Sequence, residues 1–401
     1  MLEPEPRARE HSARVVRAIR AEIERADGFV TFARYMQLAL YAPALGYYVA
    51  GTRKFGASGD FVTAPELTPL FAQALAAQVE HILSASVERE ILELGAGSGA
   101  LAVDLLEALA ARRARPARYR ILEVSPELRE RQRASIAQRA AAHLPRVEWL
   151  VELPAEIDGV VLLNEVLDAV PPHLIARRSD RWYERGVTWA GDRFAWSERP
   201  LRDARLRTLA AARFPDVGDF VSELNPAAES LVEELGRKLG AGSLIISDYG
   251  FPQHEFYHAQ RSEGTLLGHY RHHVHADPFL WPGLSDLTAH VDFTAIAAAG
   301  ERVGLNVTGY TSQAAFLLGC GILDRLHETG DPTSIAYLRA AAAVQILLSP
   351  AEMGELCKVL VLARENEKKD QNKDGKKDNE RNRDGTLAGP GFALGDRSHR
   401  L

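Results

Sequence analysis

The chemistry in this chain is concentrated where acids and glycines follow short apolar runs. Residues 90–99 read Glu-Ile-Leu-Glu-Leu-Gly-Ala-Gly-Ser-Gly. Without a Cβ, Gly95, Gly97 and Gly99 can turn tightly and bring backbone N–H groups against a ligand, so they are candidate cofactor-binding residues. Glu93, two residues before the first glycine, suits a ligand with a cationic ammonium, as the methionine end of S-adenosylmethionine (SAM) has, and would be badly placed beside a pyrophosphate. Gly95, Gly97 and Ala100 also satisfy the dinucleotide pattern, which leaves an NAD-dependent oxidoreductase open, and a structural turn is a third reading. Glu123 ends the next apolar run, roughly where a βαβ unit places the acid that grips a ribose diol; the alternative is a solvated strand-end acid. After the apolar run 159–163 come Asn164, Glu165 and Asp168. In a doubly wound sheet these positions face the ligand crevice, although they could instead cap the next helix.

These residues need an alternating scaffold to hold them. A strand at 91–94, a helix with Leu101, Leu105 and Leu109, a strand at 119–124, a helix opened by Ser125-Pro126-Glu127, a weak strand at 147–150 and a strong one at 159–163 predict parallel strands with helical crossovers. Upstream, Thr31 caps a helix bearing Phe32, Tyr35, Met36 and Leu40, and Thr68-Pro69 starts another with Phe71, Leu75, Gln78, Val79 and Ile82. Between them the Gly-, Pro- and aromatic-rich stretch 55–66 is either a connector or a lid wall over the glycine loop. The run 182–196 reads as a hairpin-like insertion. Later come a helix at 226–239, a strand at 243–247 ending in Asp248-Tyr249-Gly250, a helix at 293–303, strands at 306–310 and 357–362, a charged solvated loop at 365–385 and an edge strand at 391–394.

The expected organisation is an N-terminal helical or lid region (1–85), a core first half (86–172), an insertion (173–240), a core second half (241–363) with a substrate loop at 250–292, a charged loop (364–390) and a C-terminal edge segment (391–401). The 401 residues are 46% hydrophobic and 25% charged with a net charge of −6, which fits a globular protein and argues against a general nucleic-acid binder. Cys320 and Cys357 alone give no disulfide framework. The acidic N-terminus has no apolar core, and no apolar run reaches spanning length, so the expected location is cytoplasmic, without membrane insertion. Four histidines between His269 and His275 invite a metal, but no second motif completes a coordination sphere; a polar substrate loop is the expectation, with no metal site.

Taken together, Leu40-Tyr41-Ala42-Pro43, Gly46-Tyr47-Tyr48, the stretch Phe55 to Leu67, Glu93 to Gly99, Glu123 to Pro126, Asn164-Glu165 with Asp168 to Pro171, Asp248-Tyr249-Gly250, Gly264-Thr265-Leu266 and Asp286 to Phe293 resemble the MidA-like SAM-dependent methyltransferases. The likeness covers nearly the whole chain; residues 365–385 look like an insertion. That family includes a mitochondrial complex I assembly factor that methylates an arginine of a core subunit. The resemblance implies an α/β class I SAM-methyltransferase fold, a Rossmann-like doubly wound sheet with an N-terminal helical extension and inserted substrate-side elements. It implies SAM as cofactor, contacted by Glu93, Gly95, Gly97, Gly99, Glu123 and Asn164. It also implies a protein arginine as acceptor; it does not settle which protein carries that arginine, and a subunit of respiratory complex I type is one candidate. A guanidinium stays protonated at neutral pH, so paired carboxylates are needed to hold it and polarise its charge. Glu165 and Asp168 are the expected pair, with Glu66 and His290 as neighbours. The competing function is a SAM-binding assembly chaperone with little or no turnover.

Overall fold

The computed structural model describes residues 3–50, 63–364 and 389–401. Two compact units emerge: one built from residues 1–62, 167–230 and 251–292, the other from 63–166, 231–250 and 293–401. The stretch 51–62, which carries most of the connector-or-lid motif, and the charged run 365–385 lie outside the described residues.

The second unit contains a sheet whose strands are β1 (Glu90–Leu94), β2 (Arg118–Leu122), β3 (Val147–Leu150), β4 (Ile157–Asn164), β5 (Leu239–Phe251), β6 (Asn306–Ser312) and β7 (Cys357–Arg364), along the path β6–β7–β5–β4–β1–β2–β3. The pairs from β3 through β5 are parallel, while β7 is antiparallel to both β5 and β6. β1 is buried along its whole length, which is why its apolar run lacks the alternation of a half-exposed strand. It pairs with β2 on one side and β4 on the other, in register Leu94 to Leu122 and Leu94 to Leu163. Chain order reverses there, so the tips of these three strands border the switch-point crevice of a doubly wound sheet.

Helices α1 (Pro69–Leu83), α2 (Ala100–Ala111) and α3 (Pro126–Arg139) begin where the sequence predicts. The Thr68 hydroxyl accepts from the Leu70 N–H and the Ser125 hydroxyl from the Leu128 N–H, each with proline at the first helical position. Leu75, Val79, Leu105, Leu109, Val160 and Leu162 meet in one core.

The first unit carries the helices Pro6–Arg25 and Phe32–Tyr41 and two antiparallel sheets. One joins Val30–Thr31, His173–Arg178, Arg181–Ala190, Arg193–Pro200 and Phe220–Leu224; the other joins Leu267–Tyr270, His273–His275 and Asp286–Thr288. The insertion is therefore a sheet in its own right, of which the hairpin is one part. The histidine-rich stretch is not the expected loop: Gly268 pairs with His275 across a hairpin, and any Cβ at Gly268 would run into the His275 ring. The expected edge strand at 391–394 is also corrected. Pro390–Phe392 forms a 3-10 turn whose Phe392 ring packs 5.6 Å from Phe316, because anchoring one aromatic in the core needs no partner strand.

Candidate functional site

The glycine loop leaves β1 with Gly95, Gly97 and Gly99 all at positive φ (62°, 53° and 83°). At these angles an L-residue is strained, and among the described residues a Cβ on the first glycine would meet only the Val166 methyl, at 3.6 Å. α2 follows at once and directs its N-terminal dipole toward the loop.

Two acids flank the loop from neighbouring strands, and the chain holds them differently. Glu93 is buried, the Tyr119 hydroxyl donates to it at 2.6 Å, and burial pushes its carboxyl up to about 7, against the lowering effect of that hydrogen bond. Glu123 accepts from the Ser125 N–H (2.9 Å) and from the Gln132 amide (3.1 Å). The same Gln132 nitrogen donates to the Gly97 carbonyl at 3.0 Å, and the Trp149 indole N–H donates to the Gln132 oxygen at 3.0 Å. A buried acid near the loop, glycines at positive φ and a second acid at the adjacent strand tip fit a ligand with an ammonium at one end and a ribose at the other.

At the tip of β4, the Asn164 amide donates to Glu165 Oε1 at 3.3 Å, and Asn164 also lines a small apolar pocket with Phe71, Leu101, Ser247 and Phe316. Glu165 adopts φ 52°, a left-handed conformation unusual for a non-glycine residue. The turn is bolted to the end of β5: the Glu165 N–H donates to the Ser247 carbonyl at 2.8 Å and the Val166 N–H to buried Asp248 at 3.1 Å. Glu165 Oε1 also accepts from the Ala64 N–H at 3.1 Å, the first residue of the helix Ala64–Leu67 that carries Glu66. These bonds bring Glu66 and Glu165 onto connected segments of one unit.

Asp168 and His290 belong to the other unit. Asp168 is buried and its carboxyl is pushed up to about 7 by desolvation. Its carbonyl accepts from the Ala289 N–H at 3.0 Å, which ties it to the segment holding His290. The His290 N–H donates to the Thr265 hydroxyl (2.9 Å), and the Thr265 N–H donates to buried Glu223 (2.7 Å). The Tyr48 hydroxyl, meanwhile, donates to both oxygens of Asp286, at 2.9 and 3.0 Å.

Tyr119, Gln132 and Trp149 were not anticipated. For Gln132 a signal did exist, since it falls between Leu128 and Ile136 on the buried face of α3, and a polar residue at a core position of a helix marks an internal hydrogen-bonding duty. Tyr119 and Trp149 read as ordinary strand aromatics.

The family model described as "Putative S-adenosyl-L-methionine-dependent methyltransferase" matches residues 70–311. A crystal structure from Burkholderia thailandensis, bound to S-adenosyl-homocysteine, superimposes with a TM-score of 0.91 and is 45% identical over 100% of both chains. The mouse mitochondrial protein arginine methyltransferase NDUFAF7 is 28% identical over 373 residues, 82% of this chain and 80% of that protein. Its Caenorhabditis elegans homolog is 29% identical over 333 residues, 76% of each. Both names place these relatives in mitochondria, which overturns the cytoplasmic location expected above. An acidic opening without an apolar core speaks to the character of that segment and does not fix a compartment. No described helix is long and apolar enough to cross a membrane.

Proposed function

The chain belongs to the family of S-adenosyl-L-methionine-dependent methyltransferases, with SAM as cofactor, and we propose that its methyl acceptor is an arginine side chain of a protein partner. Support comes from relatives named as protein arginine methyltransferases that align over about four-fifths of the chain. The structural observation that carries the reading is Glu165, an acid at a strand tip, held at φ 52° by backbone and side-chain bonds from two other segments. A strained conformation that the surroundings fix so fully is what a positioned functional group requires.

When bound, SAM supplies an electrophilic sulfonium methyl. The protein's task is then to orient the nucleophile and manage its proton. In this proposal Glu93, Gly95, Gly97, Gly99, Glu123 and Asn164 receive the cofactor. Glu165, with Glu66 on the connected segment, receives the guanidinium and draws its charge toward one edge, so that another nitrogen keeps a usable lone pair. Asp168 and His290, the other two residues expected of the acceptor site, belong to the other unit, and the proposal assigns them no step. A subunit of respiratory complex I type as the partner rests on the motif resemblance alone.

The test is methylation of candidate partner subunits with labelled SAM, with product arginines located by mass spectrometry. Glu165→Gln should lower kcat by about a hundredfold or more, the usual scale for loss of a positioned charged group, while leaving S-adenosylhomocysteine binding within about twofold. Label on a residue other than arginine would sink the acceptor assignment, and full activity of the variant would remove Glu165 from it.

A further inference from the structure

We propose that Gln132 is a positioning residue for the ribose end of the cofactor, fixing the Glu123 carboxylate and the glycine loop in one mutual geometry. The inference rests on the reading of Glu123 as the acid that receives the ribose diol. Gln132 is completely buried on α3, and its amide is used on all sides: Nε2 donates to the Gly97 carbonyl at 3.0 Å and to Glu123 Oε2 at 3.1 Å, while Oε1 accepts from the Trp149 indole N–H at 3.0 Å. An amide offers two donor hydrogens and one carbonyl acceptor. Here the two acceptors and the one donor around it match that set, and a flipped amide would oppose oxygen to oxygen twice and N–H to N–H once. The orientation is therefore dictated by chemistry. It could not be met by leucine, which has the size but no polar atoms, or by glutamate, whose charge would face Glu123.

The consequence for Glu123 is geometric. Its Oε1 accepts from the Ser125 N–H at 2.9 Å and its Oε2 from Gln132, so donors on two different segments fix the plane of the carboxylate. A carboxylate receives the two hydroxyls of a diol well only if that plane is already set, because a freely rotating acid loses orientational entropy on binding. Through the Gly97 carbonyl the same side chain sets the loop, and the packing is close enough that a Cβ at Gly99 would come within 3.3 Å of Gln132 Cα. Trp149, on β3, anchors the amide from behind, with the Arg133 guanidinium 4.4 Å above its ring.

The experiment titrates wild type, Gln132→Leu, Trp149→Phe and Glu123→Gln calorimetrically with S-adenosylhomocysteine and with its 2′,3′-dideoxy analogue, and follows the thermal unfolding of each protein. Wild type should prefer the diol-bearing ligand by about tenfold or more, the scale of a hydrogen bond to a charged group. Gln132→Leu should lose most of that preference, and Trp149→Phe part of it. Loss of fold stability alone would weaken both ligands equally and leave the ratio intact, so an unchanged ratio in Gln132→Leu overturns the proposal. Should that variant not fold, the ratio in Trp149→Phe decides in the same way. If wild type shows no preference, or Glu123→Gln keeps it, the ribose reading of Glu123 is itself wrong and the proposal falls with it.

Discussion

Strand β1 has an acid near each end, Glu90 and Glu93, and the two surroundings could hardly differ more. At the N-terminal end, Glu90 is ion-paired with Arg118 and with Arg120, the latter at 3.1 Å. Beside it Gly159 and Gly242 face each other across β4 and β5, and a Cβ on Gly159 would be driven into the Glu90 carbonyl, one on Gly242 into the Gly159 carbonyl. At the C-terminal end, Glu93 has a phenol for a partner, and Gly95 has room beside it for a methyl group. Both ends are glycine-rich and both acids are buried. The difference separates glycine and acid used to close a fold from glycine and acid held for a ligand: the first kind is fully packed and charge-matched, the second is not.

The contrast breaks most visibly at Gly159. Gly159→Ala should destabilise the protein by about 3 kcal/mol or more, because the collision is with backbone that cannot swing aside, yet whatever fraction folds should bind S-adenosylhomocysteine as wild type does. Chemical denaturation with parallel titration measures both. A Gly159→Ala protein of normal stability would show that the far end is not closed after all.

Glu93 supplies the next effect through pH. Its carboxyl is raised from 4.5 to about 7 in the folded protein, so the fold binds that proton more tightly than the unfolded chain does. Stability from the neutral acid is present below pH 4.5 and is lost as pH climbs through 7, by about 3 kcal/mol on the linkage scale. Glu93→Gln keeps the neutral shape and should abolish this component, visible as the difference between the two proteins' stability curves from pH 4.5 to 8. Affinity for the ammonium-bearing cofactor should run the other way in wild type, rising as Glu93 ionises, and stay flat in Glu93→Gln.

Gly95→Ala sharpens the same comparison. The alanine would sit at φ 62° without a clash among the described residues, so the loss of stability should be about 1–2 kcal/mol from backbone strain. The added methyl would occupy space the ligand needs, and affinity for S-adenosylhomocysteine should fall by about tenfold or more. If Gly95→Ala proved more damaging to folding than Gly159→Ala, the two ends would have exchanged roles.

How much of this was legible beforehand follows from the range of the interactions. The glycine loop, the helix starts at Thr68 and Ser125 and the strong strand leading to Asn164 are local patterns, and they appear where expected. The reversed strand β7 lying between β5 and β6 is a matter of long-range pairing that no short stretch encodes. The same holds for Gly159 and Gly242, each of which reads as an ordinary glycine until the strands are aligned. Around the candidate site, the residue types were readable but their holders were not. Glu93 and Glu123 stood out as acids after apolar runs, whereas Tyr119 is reached from a neighbouring strand and Gln132 from a helix face. Glu165 was marked by its position after a strand; its left-handed backbone was not, since nothing in Asn-Glu-Val asks for it.

The smallest expected effect tests whether the C-terminal end is tuned or merely unpaired. The Tyr119 hydroxyl donates to Glu93, which favours the ionised acid and works against the desolvation that raises its pKa. Tyr119→Phe removes that donor and little else, so stability at neutral pH should change by about 1 kcal/mol. The pH at which cofactor affinity rises should move upward, above about 7, because the acid now ionises with less help. Titrating S-adenosylhomocysteine across pH 6 to 9 reads the midpoint directly. A midpoint that stays in place would mean that burial alone sets the Glu93 proton, and that the phenol is packing against an acid whose charge is governed elsewhere.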